Sequence, residues 1–273
     1  MTIALGCHKW SFSRVGTLQA AQIIRALGFE RMDLGNAPDL HPVEAGQDID
    51  ATVAYLNDIK AKTGVRFIDI FPQLPTLPNH PDPDVRKKSR EGLAAWFEIS
   101  ARVGLEGVTL TPGRYWPGHT ADEDFARAAE EMRWAVGEGQ KRGLYTRIEP
   151  HVSSVTWTPF LAVQMAQEAP GLTLTIDHSH FIFHDIPYEH IALMHPYGTH
   201  WHARQAKPGN ICCATDQGKI DFQRIVQELQ AAGYQGTICL EFTPGLWMTG
   251  GYVDCVSETV ALTHQLQEYL AGS

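Results

Sequence analysis

No stretch of this chain approaches the roughly 20 consecutive apolar residues that a membrane-crossing helix needs, so no membrane partner is expected. The start, MTIALGCHKWSF, has no basic segment ahead of a long apolar one, which predicts an unexported, cytoplasmic protein. Cysteine is scarce and unpaired in pattern. The five residues Cys7, Cys212, Cys213, Cys239 and Cys255 form an odd set without CxxC spacing, which argues against a disulfide framework and a cysteine-rich zinc site. Basic charge is also in short supply: 22 Lys and Arg face 31 Asp and Glu, a net charge of −9. A broad nucleic-acid surface gains affinity by neutralising phosphates, so no nucleic-acid partner is expected. There is no P-loop, no GxGxxG after a strand and no GxSxG elbow, and hence no signature for nucleotide phosphates or serine hydrolysis. Low-complexity segments, long Ser/Gly linkers and abrupt charge blocks are missing too, so a single domain over 1–273 is expected.

What the chain does have is a repeating alternation of short β-rich runs and longer helical patterns. Eight candidate strands can be counted, over 3–8, 31–34, 65–70, 107–111, 144–149, 172–177, 198–203 and 236–242. Thr120 and Glu123 have capping-box spacing ahead of an Ala/Glu/Arg-rich segment that runs to Gly143. Helix, glycine and strand succeed one another again at Gly28 and Gly233. The 44% hydrophobic content suffices for one large core. This order predicts an α/β fold, a (β/α)8 TIM barrel. The Pro-rich stretch 71–84 comes after the third strand and reads as a loop at the barrel mouth.

In such a barrel all strands point toward one face, and catalytic groups sit at their C-terminal ends. Glu149 ends the fifth candidate strand, Asp177 the sixth, and His202 and Glu241 lie near the ends of the seventh and eighth. Carboxylates brought together repel one another, and a divalent cation converts that repulsion into coordination with the imidazole as a neutral donor. A mostly oxygen donor set suits one Mn²⁺ or Mg²⁺, while the histidine also admits Co²⁺ or Zn²⁺.

The segments Arg147-Ile-Glu149-Pro, Thr175-Ile-Asp177-His-Ser-His180, His200-Trp-His202, and Gly218-Lys-Ile-Asp-Phe222 through Gly233-Tyr-Gln-Gly236 to Leu240-Glu241 resemble the xylose isomerase-like barrel superfamily. That group includes sugar isomerases, ketose 3-epimerases, inosose dehydratases and apurinic endonucleases. The resemblance implies Glu149, Asp177, His202 and Glu241 as the metal tetrad of the epimerase branch, with His180 as a substrate contact. It also implies a homo-oligomer, a dimer or a tetramer. The endonuclease branch is similar but takes three metals with further histidines. Here the third strand ends Asp69-Ile-Phe71, the fourth reads Thr109-Leu-Thr111-Pro-Gly, and Asp216 is followed by Gln217-Gly218. A single metal is therefore expected.

One metal in this place implies a sugar isomerase or epimerase working through an enediolate, with Glu149 and Glu241 as the acid/base pair. A dehydratase acting on a polyol-derived ketone is the alternative, and an endonuclease-like nuclease ranks below it. The substrate class is a small carbohydrate. Arg147 shares strand parity with Glu149 and is a candidate to position it or touch substrate. Arg204 and Lys207, just past the seventh strand, are candidate contacts to substrate oxygens. His200 shares parity with His202 but lies deeper, where a core role is expected. Trp10, Trp116, Trp157 and Trp247 fall just past strand ends, where an indole can pack on the apolar face of a sugar. His8 and Asp33 complete the candidates at the mouth.

Overall fold

The computed structural model describes residues 3–40, 48–72, 74, 76–244 and 252–272. All eight expected strands form: β1 (Ala4–His8), β2 (Arg31–Gly35), β3 (Arg66–Phe71), β4 (Gly107–Leu110), β5 (Tyr145–Ile148), β6 (Leu172–Asp177), β7 (Gly198–Ala203) and β8 (Thr237–Leu240). Their pairings are parallel, in the order β3-β2-β1-β8-β7-β6-β5-β4. The two ends of that order meet through isolated bonds. Glu106 N–H donates to the Ile68 carbonyl at 2.8 Å, and Thr109 N–H donates to the Asp69 carboxylate at 3.0 Å. A side chain thus closes the seam between β3 and β4, and the sheet becomes a barrel.

Helices cross between the strands: α1 (Thr17–Ala26), α2 (Ile49–Thr63), α3 (Pro83–Val103), α4 (Ala121–Gln140) and α5 (Pro159–Glu168). The crossover from β6 to β7 holds short helical pieces in place of one long helix. It contains α6 (Ser179–Ile182), α7 (Tyr188–Ile191) and a 3₁₀ turn over Ala192–Tyr197. Asp185 in the left-handed region separates α6 from α7, and Pro187 caps the start of α7, where its missing N–H costs no helical hydrogen bond. The last two helices are α8 (Phe222–Ala231) and α9 (Cys255–Ala271). In α8, Phe222, Ile225, Val226 and Leu229 are buried while Gln223, Arg224 and Gln227 face solvent, the stripe of a helix laid on a barrel. The Thr120–Glu123 capping box forms at the start of α4 as its spacing predicts. Among the described residues, no helix is long and apolar enough to cross a membrane.

The barrel interior is unusually polar. Arg147 is fully buried; its guanidinium pairs with Asp69, and its Nε donates to Thr199 Oγ1 at 2.9 Å. Gly107 on β4 makes this possible, because a Cβ there would collide with the guanidinium. Beside this pair the hydroxyls of Thr109 and Thr175 meet at 2.6 Å. Arg147 does share the face of Glu149, as its parity predicts, but it lies deeper and is spent on Asp69 and Thr199. Asp69 therefore serves both the seam and the buried cation.

Removing one partner of a buried ion pair leaves an uncompensated charge and costs about 3–5 kcal/mol. Asp69→Ala is therefore expected to lower unfolding stability by about that amount, measured by urea denaturation. A loss below about 1 kcal/mol would contradict the assignment of Asp69 as the clasp of the seam.

Candidate metal centre

Four neighbouring strands deliver the centre. Asp177 is the last residue of β6, and it pairs in register with His202 of β7. Glu149 and Glu241 stand one residue beyond β5 and β8, but the ladder still holds their backbones. Glu149 N–H donates to the Leu110 carbonyl at 3.1 Å, and Glu241 N–H donates to the Ala203 carbonyl at 2.9 Å. All four side chains belong to residues at most 4% exposed. His202 Nδ1 lies 2.8 Å from Glu149 Oε1 and 3.4 Å from Glu241 Oε2. Its other nitrogen, Nε2, faces Asp33 Oδ2 at 3.4 Å. Asp33 is held in turn by His200, whose Nε2 is 2.6 Å from the same oxygen. His200 is thus a buried support below the centre, in keeping with its depth along the strand.

Arg204 enters from the end of β7. Its Nη2 is 2.8 Å from Asp177 Oδ2 and 3.2 Å from His180 Nε2, and its Nη1 is 3.3 Å from Glu241 Oε2. Its Nε donates to Ser179 Oγ at 2.9 Å. A guanidinium only donates, so His180 Nε2 accepts and that ring is neutral.

Burial and charge compete throughout this cluster. Burial raises the Glu149 pKa to about 7, and the Glu241 and Asp177 carboxylates add to the effect. Burial also raises Asp177, against the pull of Arg204. For Glu241, burial opposes ionisation, but His202 and Arg204 outweigh it and hold the carboxyl below the usual carboxylate range. Burial likewise disfavours a protonated His202, yet Glu241 and Glu149 outweigh it and raise the imidazole pKa. His180 is lowered by burial first and by Arg204 second. Cationic charge is what this end of the barrel requires.

The donor set fits a divalent cation. Three sets of three donors lie within 4.8 Å of one another: Glu149, His202 and Glu241; Glu149, Asp177 and His180; and, deeper, Asp33, His200 and His202. Asp177 Oδ2 is buried and makes no hydrogen bond; Arg204 Nη2 is close enough to pair with it electrostatically but lies outside hydrogen-bond geometry. A buried carboxylate oxygen without a donor is an oxygen suited to a metal.

Above the centre opens a cavity of about 530 Å³ lined by Trp10, Phe71, Leu74, Leu77, Thr111, Glu149, His151, His180, Arg204, Glu241 and Thr243, among others. Several predicted residues thus come together here: Glu149, Glu241, His180, Arg204 and Trp10. His8 lies close by, with its ring 5.3 Å from that of His202. Trp10 N–H donates to His8 Nδ1 at 3.0 Å, so the proton of the neutral ring sits on Nε2. That Nε2 is buried without a partner, and burial lowers the ring's pKa to about 4.

Other candidates do not reach the cavity lining. Trp116 is an anchor of the loop before α4: its Nε1 donates to Asn79 Oδ1 at 3.0 Å, and Arg114 lies over its ring. Lys207 Nζ donates to Gln217 Oε1 at 3.0 Å within its own loop. Trp157 is 40% exposed against His184. Trp247 lies outside the described residues. The mouth loop after β3 does line the cavity, through Leu74, Thr76 and Leu77. His151 is a cavity residue that strand-end reasoning passes over; the alternation of Arg147 and Glu149, carried one step further, was the available signal. Its Nε2 lies 3.1 Å from Thr111 Oγ1.

The family model that matches the sequence, described as a xylose isomerase-like TIM barrel, covers residues 21–252. No curated protein matches the sequence significantly. Solved structures share the fold. A D-tagatose 3-epimerase-like protein superposes with a TM-score of 0.77 at 17% identity, covering 98% of each chain. L-ribulose 3-epimerase gives a TM-score of 0.77 at 15% identity, covering 99% of this chain and 95% of that one. A xylose isomerase-like TIM barrel protein from Mycobacterium smegmatis, in complex with magnesium, gives 0.73 at 16% identity and 98% coverage of each. The likenesses at these identities concern the fold, and they agree with the match along the sequence: the chain belongs to the xylose isomerase-like TIM barrel family.

Proposed function

We propose that this protein is a divalent-metal-dependent sugar isomerase or epimerase acting on a small carbohydrate or polyol-derived ketone, with Glu149 and Glu241 as its acid/base pair. The observation that carries the reading is a division within the tetrad. Glu149 and Glu241 line the cavity, whereas Asp177 and His202 are absent from its lining and sit in the buried floor. A ligand in the cavity meets two carboxylates, which come from β5 and β8 at the two ends of a four-strand arc. The names of two structural relatives, a D-tagatose 3-epimerase-like protein and L-ribulose 3-epimerase, support an epimerase, and the magnesium of a third is in keeping with a metal. The oxygen-rich donor set favours Mn²⁺ or Mg²⁺, with Co²⁺ or Zn²⁺ next.

Glu149, Asp177, His202 and Glu241 would hold the divalent cation, which would supply Lewis acidity to a carbonyl and its neighbouring hydroxyl and so acidify the intervening carbon-bound hydrogen. One glutamate removes that proton and the other returns one. Carboxylates on opposite sides of the ligand give inversion at carbon, so their approach from separate strands favours epimerisation over one-face isomerisation. His180 and Arg204 offer polar contacts to substrate oxygens. Trp10, Phe71, Leu74 and Leu77 form an apolar wall suited to the C–H face of a sugar. Arg204 is the one cation among the described lining residues, and its charge is already matched, so an uncharged polyol or glycoside fits better than a phosphorylated one.

Protein loaded with Mn²⁺ and incubated with ketoses in D₂O is expected to place deuterium at the carbon next to the carbonyl without other change of mass. Glu149→Gln and Glu241→Gln should each slow that exchange by about 10²–10⁴-fold, in line with the contribution of a positioned acid or base. A product lighter by one water would make the enzyme a dehydratase instead. A separate expectation concerns Asp33, which faces the remote nitrogen of His202. Outer carboxylates of this kind typically contribute about 10–100-fold to metal affinity, so Asp33→Asn should weaken Mn²⁺ binding by that factor in calorimetric titration. Unchanged affinity would leave Asp33 with no part in holding the metal.

A further inference from the structure

The described residues offer three overlapping sets of donors, with the donor atoms of each within 4.8 Å. In the deepest, Asp33, His200 and His202, the carboxylate is already taken by the His200 imidazole at 2.6 Å. Of the other two, Glu149, His202 and Glu241 make the first, and Glu149, Asp177 and His180 make the second. By donor chemistry alone this is a frame for two cations that share Glu149. The second position is filled by the protein itself. The guanidinium of Arg204 is ion-paired to Asp177 at 2.8 Å and to Glu241 at 3.3 Å, and it donates to His180 Nε2 at 3.2 Å. Its remaining nitrogen is tied to Ser179 Oγ at 2.9 Å, so the group is anchored as well as paired.

We propose that Arg204 is a built-in cation: its guanidinium stands in the second cation position of the centre, against Asp177, Glu241 and His180, and thereby limits the centre to one divalent ion. The inference rests on the metal reading given above and specifies the count. Charge balance supports it. The three buried carboxylates of the tetrad carry three negative charges, and one divalent ion together with one guanidinium carries three positive ones; Asp33, the fourth buried carboxylate beside His202, is paired separately with His200. A buried cluster is tolerated when its charges are paired, and a second divalent ion beside Arg204 would leave an uncompensated surplus. The guanidinium is suited to the task because it does not deprotonate in proteins and presents its donors in a rigid fork. It also engages Nε2 of His180, the nitrogen through which that ring would join a second ion. Parity places the arginine: residues 200, 202 and 204 alternate onto one face, so Arg204 lies two residues beyond His202 on the inward side.

The test is metal stoichiometry, read by elemental analysis and by Mn²⁺ electron paramagnetic resonance on variants whose fold is checked by circular dichroism. Wild type is expected to bind about one Mn²⁺ per chain and to show no second binding event up to millimolar Mn²⁺. Arg204→Gln should bind about two, with the spectrum of a spin-coupled pair, and adding His180→Ala to that variant should return the count to about one. Arg204→Gln that folds and binds a single ion overturns the inference while leaving the metal reading intact. A second ion in the wild type does the same, and it needs no variant to fold. Wild type that takes up no metal at all removes the metal reading and this inference together.

Discussion

Three carboxylates packed around an imidazole, all nearly shut off from water, form an arrangement that cannot persist without positive charge. The rest of this end of the barrel is organised around that constraint. Glu149 and Asp177 are pushed toward protonation by burial, whereas Glu241 is kept ionised by His202 and Arg204 against the same burial. The protein supplies part of the missing charge through Arg204 and leaves a donor set suited to a divalent ion. It also fixes the direction of the imidazole, since Nδ1 of His202 faces the glutamates while Nε2 faces Asp33. A ligand whose other nitrogen is held by a carboxylate is a ligand whose ring orientation is set in advance.

The scaffold beneath shares this logic of buried charge satisfied by geometry. Asp69 spans the open edge between β3 and β4 and at the same time neutralises Arg147, deep in the barrel. Asp33 and His200 occupy the layer between that clasp and the centre. Polar pairs therefore run along the barrel axis, where aliphatic layers more commonly fill a barrel of this kind. Strand ends and the residues just past them carry the tetrad, and the apolar wall of the cavity comes largely from Phe71 at the end of β3 and from the segments just past β1 and β3. The tetrad and the apolar wall of the cavity are thus held by different parts of the fold.

Much of this was legible in the amino-acid order. The eight strands could be read because β-rich runs alternate with Gly-terminated helical patterns, and the tetrad because parallel strands bring their C-terminal ends to one face. Parity put His200 on the face of His202, and its earlier place in the strand put it deeper, where it meets Asp33. What escaped is what depends on long-range pairing. The bond between Asp33 and His200 joins residues 167 apart, and nothing local in either strand announces it. Arg147 had the right face but its depth depends on Asp69 and on the missing side chain of Gly107. Trp116 and Lys207 lie in loops, where strand parity has no authority and local hydrogen bonds decide the direction of a side chain. The β6–β7 crossover shows a different limit, because it is split into short helical pieces around the left-handed Asp185, which a count of βα units overlooks.

The central claim is that Glu149, Asp177, His202 and Glu241 hold a single divalent ion at the floor of the cavity. Crystals grown with Mn²⁺ and measured at the manganese absorption edge test it most directly. One anomalous peak is expected, bounded by those four side chains through Nδ1 of His202, with Arg204 still paired to Asp177. No peak there at saturating Mn²⁺, or a peak coordinated elsewhere, would contradict the claim.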